Sequence, residues 1–237
     1  MIKPIISEYI MKRILIFLVI GALAIGDALA QKASPSVTAT SDAETKPIRY
    51  YPPNIIYVHA GYCTSWISSC GLTSSARSGY EVGITDRIRV GRRLPFYLRT
   101  GADFISKGYE INGFDNSRTA LNYIQIPVEA DYTISLNERF ALIPFAELYY
   151  AVGVSGKRKV NGKKTDIFSN EGGFSRHDAG LSCGVDATFH RFVIGVNYHV
   201  GLVNIDKTDT MYGDNSNKVG YKNVRNRCFV VGIGFNF

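Results

Sequence analysis

The chain closes on Cys228–Phe237, CFVVGIGFNF. Phe229, Val231, Ile233, Phe235 and Phe237 recur at every second residue, which in a β-strand sets them on one face. Cys228, Val230, Gly232, Gly234 and Asn236 take the other. One face is large and apolar, and the other is mostly small. A soluble protein would lay the apolar face on a core, so this strand alone leaves two solutions open. The rest of the chain has to choose between them.

The opposite end sets the compartment. Met11 begins MKRILIFLVIGALAIGDALAQ: Lys12 and Arg13, an apolar run Ile14–Ile25, then Ala28, Leu29 and Ala30 in the small-x-small arrangement of a signal-peptidase site. Residues 1–30 are therefore read as a cleaved secretory signal with its start at Met11 and Gln31 as the first mature residue. The apolar run would reach only about 18 Å as a helix, short of the roughly 30 Å of bilayer hydrocarbon. Residues 31–54, rich in Ser, Thr, Ala and Pro, read as a flexible linker. Residues 55–237 then form one domain of ordinary size.

Composition points to β-structure. Gly 23, Tyr 15 and Phe 13 suit strands better than helices, and the formal net charge of +7 is dispersed along the chain. After the signal no stretch of about 18 apolar residues occurs, so any membrane crossing is by strands. Export excludes nucleic acid as a partner.

Eight alternating segments follow: Ile56–Trp66, Ser78–Val90, Pro95–Lys107, Leu121–Ile134, Arg139–Ser155, His177–Phe189, Arg191–Ile205 and Asn223–Phe237. Each approaches or exceeds the roughly 9–11 residues of a tilted membrane-spanning strand. Their connections alternate. GRR, SLNE and HR are short, whereas Ile67–Arg77, Gly108–Ala120, Gly156–Arg176 and Asp206–Lys222 are long and polar. Short turns on one rim and long loops on the other characterise a barrel in a membrane. A soluble lipocalin-like barrel has no need of that asymmetry. Phe96, Tyr132, Phe140, Phe189, Phe192 and Phe237 fall on the apolar face beside the short turns or the terminus, as an interfacial aromatic girdle. The expected fold is all-β: an eight-stranded antiparallel up-and-down transmembrane β-barrel with short periplasmic turns, four long extracellular loops and both ends periplasmic.

In sequence order, SKGYEI, YIQIPVEADY, FAELYYAVGVSGK, DAGLSCGV and GLVNI, followed by a terminal aromatic, resemble the PorT-like outer-membrane β-barrel proteins of Bacteroidota. The resemblance covers Ile56–Phe237 and implies an eight-stranded, OmpA-like barrel. It also implies that Phe237 is read by the outer-membrane assembly machinery. The founding member serves the type IX secretion system, which makes an accessory role there one alternative.

Strand parity points His59, Glu81, Arg99, Asp103, Lys107, Gln125, Glu129, Asp131, Glu147, Asp178, Asp186, Asn197 and His199 inward. Eight strands close a barrel that its own side chains fill, so these residues are expected to plug the lumen rather than line a narrow pore or a proton path. A lipid-modifying enzyme would need a histidine, a nucleophile and an acid together at the outer rim. Only His177, beside Ser175 and Asp178, offers that, and no catalytic residue is assigned. No metal-ligand spacing, phosphate-binding glycine loop or dinucleotide fingerprint occurs, and no metal site or cofactor is expected. The expected function is a non-enzymatic envelope scaffold or interaction protein.

Of the four cysteines, Cys63 can pair with Cys228 or with Cys70, while Cys183 faces lipid. Lys157, Arg158, Lys159, Lys163 and Lys164, around an Asn161–Gly162 turn, form a candidate surface patch for the phosphates of lipopolysaccharide. The expected partners are outer-membrane lipid and lipopolysaccharide, the assembly machinery, and other envelope proteins met through the long loops. Pro127 and Pro144 inside segments predict a bulge or broken pairing. Asp86, on the lipid face by parity, is tolerable near a membrane interface.

Overall fold

The computed structural model describes residues 54–70, 74–90, 94–111, 117–160, 162–169, 173–207, 211–212, 219–220 and 222–237. The signal assigned to 1–30, with Ala28, Ala30 and Gln31, lies outside them, as does all of the linker but its last residue. Among the described residues there is no helix.

Eight long strands dominate: β1 Asn54–Cys70, β2 Ser75–Arg89, β3 Phe96–Ile111, β4 Ser117–Tyr132, β5 Phe140–Val160, β6 His177–Phe189, β7 Phe192–Gly201 and β8 Lys222–Asn236. Each pairs antiparallel with the next, and β8 pairs with β1, so the sheet closes without an edge. Short strands Ile134–Ser135 and Lys163–Asp166 are added to β5. Met211–Tyr212 and Val219–Gly220 form a separate pair.

Alternation dictates the inside and the outside. Ile84, Leu148, Ile194 and Ile233 point outward with 55–66% of their surface exposed, at the same parity as the other large apolar residues of their strands. Covering one such side chain is worth about 1.5–3 kcal/mol. A ring of them around every strand therefore requires an apolar solvent. Near the short turns this belt ends in aromatics: Phe140 on Phe189 at 4.7 Å, Phe192 on Phe235 at 5.3 Å, and Phe235 on Phe237 at 4.9 Å between ring centres.

The register fixes the tilt. A row of directly paired residues leaves β1 at Ile55 and runs through Arg87, Arg99, Glu129, Glu147, Ser182, His199 and Cys228. It returns to β1 at Ser65, ten residues further along the strand. Such a stagger is what inclines the strands of a closed barrel and sets its narrow bore. Because the row has one parity, nearly all its members face the lumen.

The strands outrun their expected ends on the long-loop side. Cys70 pairs with Lys222, and Gly108 pairs with Ala120, in stretches whose composition predicts loop. Polar composition marks contact with solvent, and solvated β-ladder satisfies it equally well. Conversely β7 stops at Gly201 instead of Ile205. Leu202 and Val203 both donate backbone N–H bonds to Ala179 O, at 2.8 and 3.4 Å, in a turn that carries Ile205 inward.

Neither proline makes a bulge. Around Pro127 the β3–β4 series passes from Thr100↔Val128 to Asp103↔Gln125 in unchanged register, with two pairs missing between. Thr100 Oγ1 donates 2.8 Å to Pro127 O in the gap. At Pro144 the series likewise passes from Asp131↔Phe145 to Ile134↔Leu142. Pairing breaks locally on the side where the N–H is missing. The bulge in this ladder falls elsewhere, between Asn122 and Tyr123. Asp86 lies outward between Ile56 and Thr100, near the end of β2.

Cys63 and Cys228 are bonded as a disulfide, with Cα atoms 6.5 Å apart, across the β1–β8 seam that closes the barrel. Cys183 is a free thiol, half-buried on the outer face. The side chain of Cys70 lies outside the described residues.

Candidate functional site

The inward face is built in two layers. Nearer the short turns it is polar. Arg87 donates to Asp131 through Nε, at 2.7 Å, and through a second nitrogen, and to Thr133 Oγ1 at 2.6 Å, with its guanidinium 3.9 Å from the Tyr97 ring centre. Arg99 stands at the hub of the layer. Its Nε is 3.1 Å from Glu129 Oε1, and its two terminal nitrogens each donate 3.2 Å to Asp186 Oδ2. The Tyr57 ring lies 4.8 Å from it.

Above Arg99, Lys107 is wholly buried. It donates to Gln125 Oε1 at 3.4 Å, lies 3.8 Å from Asp178 Oδ2, and sits 4.2 Å from the Tyr149 ring centre. Gln125 in turn donates to Glu147 Oε1 at 3.2 Å, and Asn226 donates to Asp178 Oδ2 at 2.8 Å. His199 is buried with its ring edge toward Tyr149. His59 Nε2 is 3.5 Å from Asp103 Oδ1.

All ten residues assigned to the lumen network are thus buried and inward. Gln125 is buried with them, while His59 and Asn197 are half-buried. Sequence reasoning missed Arg87, Asn226 and the inward tyrosines Tyr57, Tyr97, Tyr123 and Tyr149. Arg87 was legible, since it shares the parity of Glu81 on the same strand. The tyrosines were not, because their apolar rings make parity ambiguous. Buried carboxylates exceed buried cations: Glu81, Asp103, Glu129, Asp131, Glu147, Asp178 and Asp186 face Arg87, Arg99 and Lys107.

Toward the long loops the lumen turns apolar. Ile67, Ile105, Tyr109, Leu121 and Val224 meet Ile167, Phe168, Phe174 and Ile205, which enter from the two longest connections. The chain after Asp166 folds into the barrel mouth instead of away from it. Phe168 lies edge-on to Tyr123 at 6.1 Å, against Gly153 and Gly156. A Cβ at Gly156 would come within 2.8 Å of the Phe168 ring. Glycines inside a strand mark such close approaches, and GVSG in β5 was the available signal. The two connections also bond to each other, with Ser175 N–H donating 2.7 Å to Ile205 O and Lys207 N–H donating 2.8 Å to Gly173 O.

Residues 64–207 match a family of outer membrane protein beta-barrel domains. The chain belongs to that family. It is an integral β-barrel protein of the bacterial outer membrane, and its belt of outward Ile, Leu and Phe is lipid-facing. In fold this outer-membrane barrel is similar to Ail, the attachment invasion locus protein of Yersinia pestis, at 13% identity over 78% of this chain and 100% of that one, TM-score 0.42. It is similar also to Neisserial surface protein A, at 14% identity over 77% and 97% of the two chains, TM-score 0.46. A major outer membrane protein from Thermus thermophilus gives 14% identity over 78% and 99%, TM-score 0.46. No curated protein matches the chain.

The remaining candidates on this barrel separate. Lys157 and Lys159 are exposed on β5, with Lys163 and Lys164 on the facing short strand, and Lys159 pairs directly with Lys164. Gly162 turns the chain at φ 85°, while Asn161 lies outside the described residues. Arg158 does not join that surface. Parity turns it inward, where it donates 3.0 Å to the Tyr109 hydroxyl and lies 5.2 Å from the Phe174 ring centre, so the patch is four lysines. His177, Ser175 and Asp178 do not converge. His177 Nδ1 is 2.6 Å from the Tyr150 hydroxyl on the outer face, whereas Asp178 points into the lumen. Phe237 N–H donates 2.9 Å to Ile56 O, which ties the terminal residue to the first strand.

Proposed function

We propose that the chain is a closed, non-enzymatic scaffold or interaction protein of the envelope. The observation that carries this reading is the doubly sealed lumen, with a charged layer held by Arg99 beneath an apolar layer capped by Phe168. An eight-stranded barrel filled by its own side chains is not expected to pass solutes. Lys157, Lys159, Lys163 and Lys164 suit the phosphates of lipopolysaccharide, since the like charges of Lys159 and Lys164 face each other and favour a shared anion.

Purified protein in planar lipid bilayers is expected to give no stable single-channel current, and large reproducible steps would overturn the closed reading. The segments that resemble PorT-like proteins of Bacteroidota, on β3, β4, β5 and β6 and from Gly201 into the turn after β7, carry the finer membership and, with it, a type IX secretion accessory role as the second reading. Recovery of secretion-system subunits with the tagged chain would favour that role over a general scaffold.

A signal cleaved before Gln31, together with the even strand count, would leave both barrel ends periplasmic. A tag between Gly162 and Lys163 is then expected to be labelled on intact cells, and a tag near Ser41 only after the outer membrane is permeabilised. Equal labelling of both on intact cells would reverse or abolish this orientation.

A further inference from the structure

His59, Glu81 and Asp103 come from three adjacent strands, and their ligand-type atoms all lie within 4.8 Å of one another. The convergence has a backbone cause. His59 and Asp103 flank Gly83 in one register row, His59↔Gly83 and Gly83↔Asp103. A Cβ at Gly83 would stand 2.7 Å from His59 Cε1 and 2.9 Å from Asp103 Cγ. Glycine there lets the two side chains lean over the middle strand toward each other, while Glu81 approaches from two residues along it.

The arrangement is poorly explained as a hydrogen-bonded plug. His59 Nδ1 and Asp103 Oδ1 are buried without a hydrogen-bond partner. The 3.5 Å between His59 Nε2 and Asp103 Oδ1 is long for a hydrogen bond. The Asp103 side chain is only 4% exposed. The buried cation Lys107 on β3 has its ammonium held at Gln125 and Asp178. Two ligands on a tetrahedral zinc ion, each about 2.0–2.2 Å from it, stand roughly 3.3–3.6 Å apart. The His59–Asp103 separation falls within that span.

We propose that His59, Glu81 and Asp103 form a lumen site for a divalent transition-metal ion of the Zn²⁺ type, with water completing the coordination. One imidazole and two carboxylates suit such an ion better than the all-oxygen shells of Ca²⁺ or Mg²⁺. Its two positive charges offset part of the carboxylate surplus of the lumen, and it ties β1, β2 and β3 together above Arg99. The half-buried His59 leaves a way in for the ion.

The test uses Zn²⁺ added to the full chain folded in detergent micelles, with excess metal removed. One retained equivalent is expected. X-ray absorption should show nitrogen and oxygen neighbours and no sulfur, which separates this site from one built on Cys70 or Cys183. His59→Gln and Asp103→Asn are each expected to weaken binding by about 100-fold or more. The surface changes His177→Gln and His190→Gln should leave it intact. Absence of a retained equivalent, sulfur in the coordination shell, or full binding by folded His59→Gln would each overturn the proposal. The absorption measurement needs only the unmodified chain, so it decides even if the variants do not fold.

Discussion

Replacing Arg99 by Met is expected to cost the barrel about 3–5 kcal/mol of unfolding free energy, because removing one partner of a buried ion pair strands the other charges. Arg99 is the one cation that touches both Glu129 and Asp186 among the described residues, and it lies 3.8 Å from Asp131 as well. Arg87 is already engaged by Asp131 and Thr133 and cannot swing across to replace it. Urea unfolding in phospholipid vesicles, followed through the single tryptophan Trp66, measures the loss. Adding Glu129→Gln and Asp186→Asn to Arg99→Met should restore most of it, since the amides need no counter-charge. If Arg99→Met alone unfolds at the urea concentration of the unmodified protein, the polar layer is not held by charge and the account of it is wrong.

The second large effect is at the other layer. Phe168→Ala removes a buried ring from the cap, a change typically worth about 3–5 kcal/mol where the cavity cannot collapse. Here part of that loss is expected to appear as local opening, because Phe168 belongs to a connection and not to the barrel wall. The connections are pinned to each other through Ser175 N–H on Ile205 O and Lys207 N–H on Gly173 O, and within the first of them Phe174 N–H donates to Ile167 O. Releasing Phe168 should therefore speed amide exchange at Ser175 and Phe174 by at least about 100-fold, at 1.4 kcal/mol per factor of ten. Amides in the middle of β1 and β8 should change little. Unaltered exchange at Ser175 would show that the cap is held by something other than this ring.

The two layers were not equally legible. The polar one could be read because period-two parity is strict: once Arg99, Glu129 and Glu147 are assigned to one face, all three must meet inside a narrow closed barrel. Which of them pair was not legible. Arg99 reaches Asp186 across the lumen, between residues 87 positions apart, and that contact follows from the stagger that returns Ile55 to the level of Ser65. The same stagger brings Cys63 and Cys228 together at the seam, a choice among pairings that spacing leaves open.

The cap has the composition of a polar outer loop, since Ile167, Phe168 and Phe174 are scattered among Ser, Asn, Gly and charged residues and carry no period. Only the closed wall, with Gly153 and Gly156 leaving space at its inner surface, gives these side chains somewhere to go. Arg158 shows the converse error. Within a run of basic residues its composition says surface, yet alternation places it against Tyr109 and Phe174 while Lys157 and Lys159 stay outside.

By itself, then, the sequence determined that this chain is a barrel in a membrane, because alternation of apolar and polar residues is a local property that each strand carries alone, and because turn lengths are counted directly. Tertiary structure decided what the interior is. Which charges share Arg99, which ring seals the mouth and why His59, Glu81 and Asp103 converge over Gly83 all depend on register and stagger around a closed ring. Those are set only when the eighth strand pairs with the first.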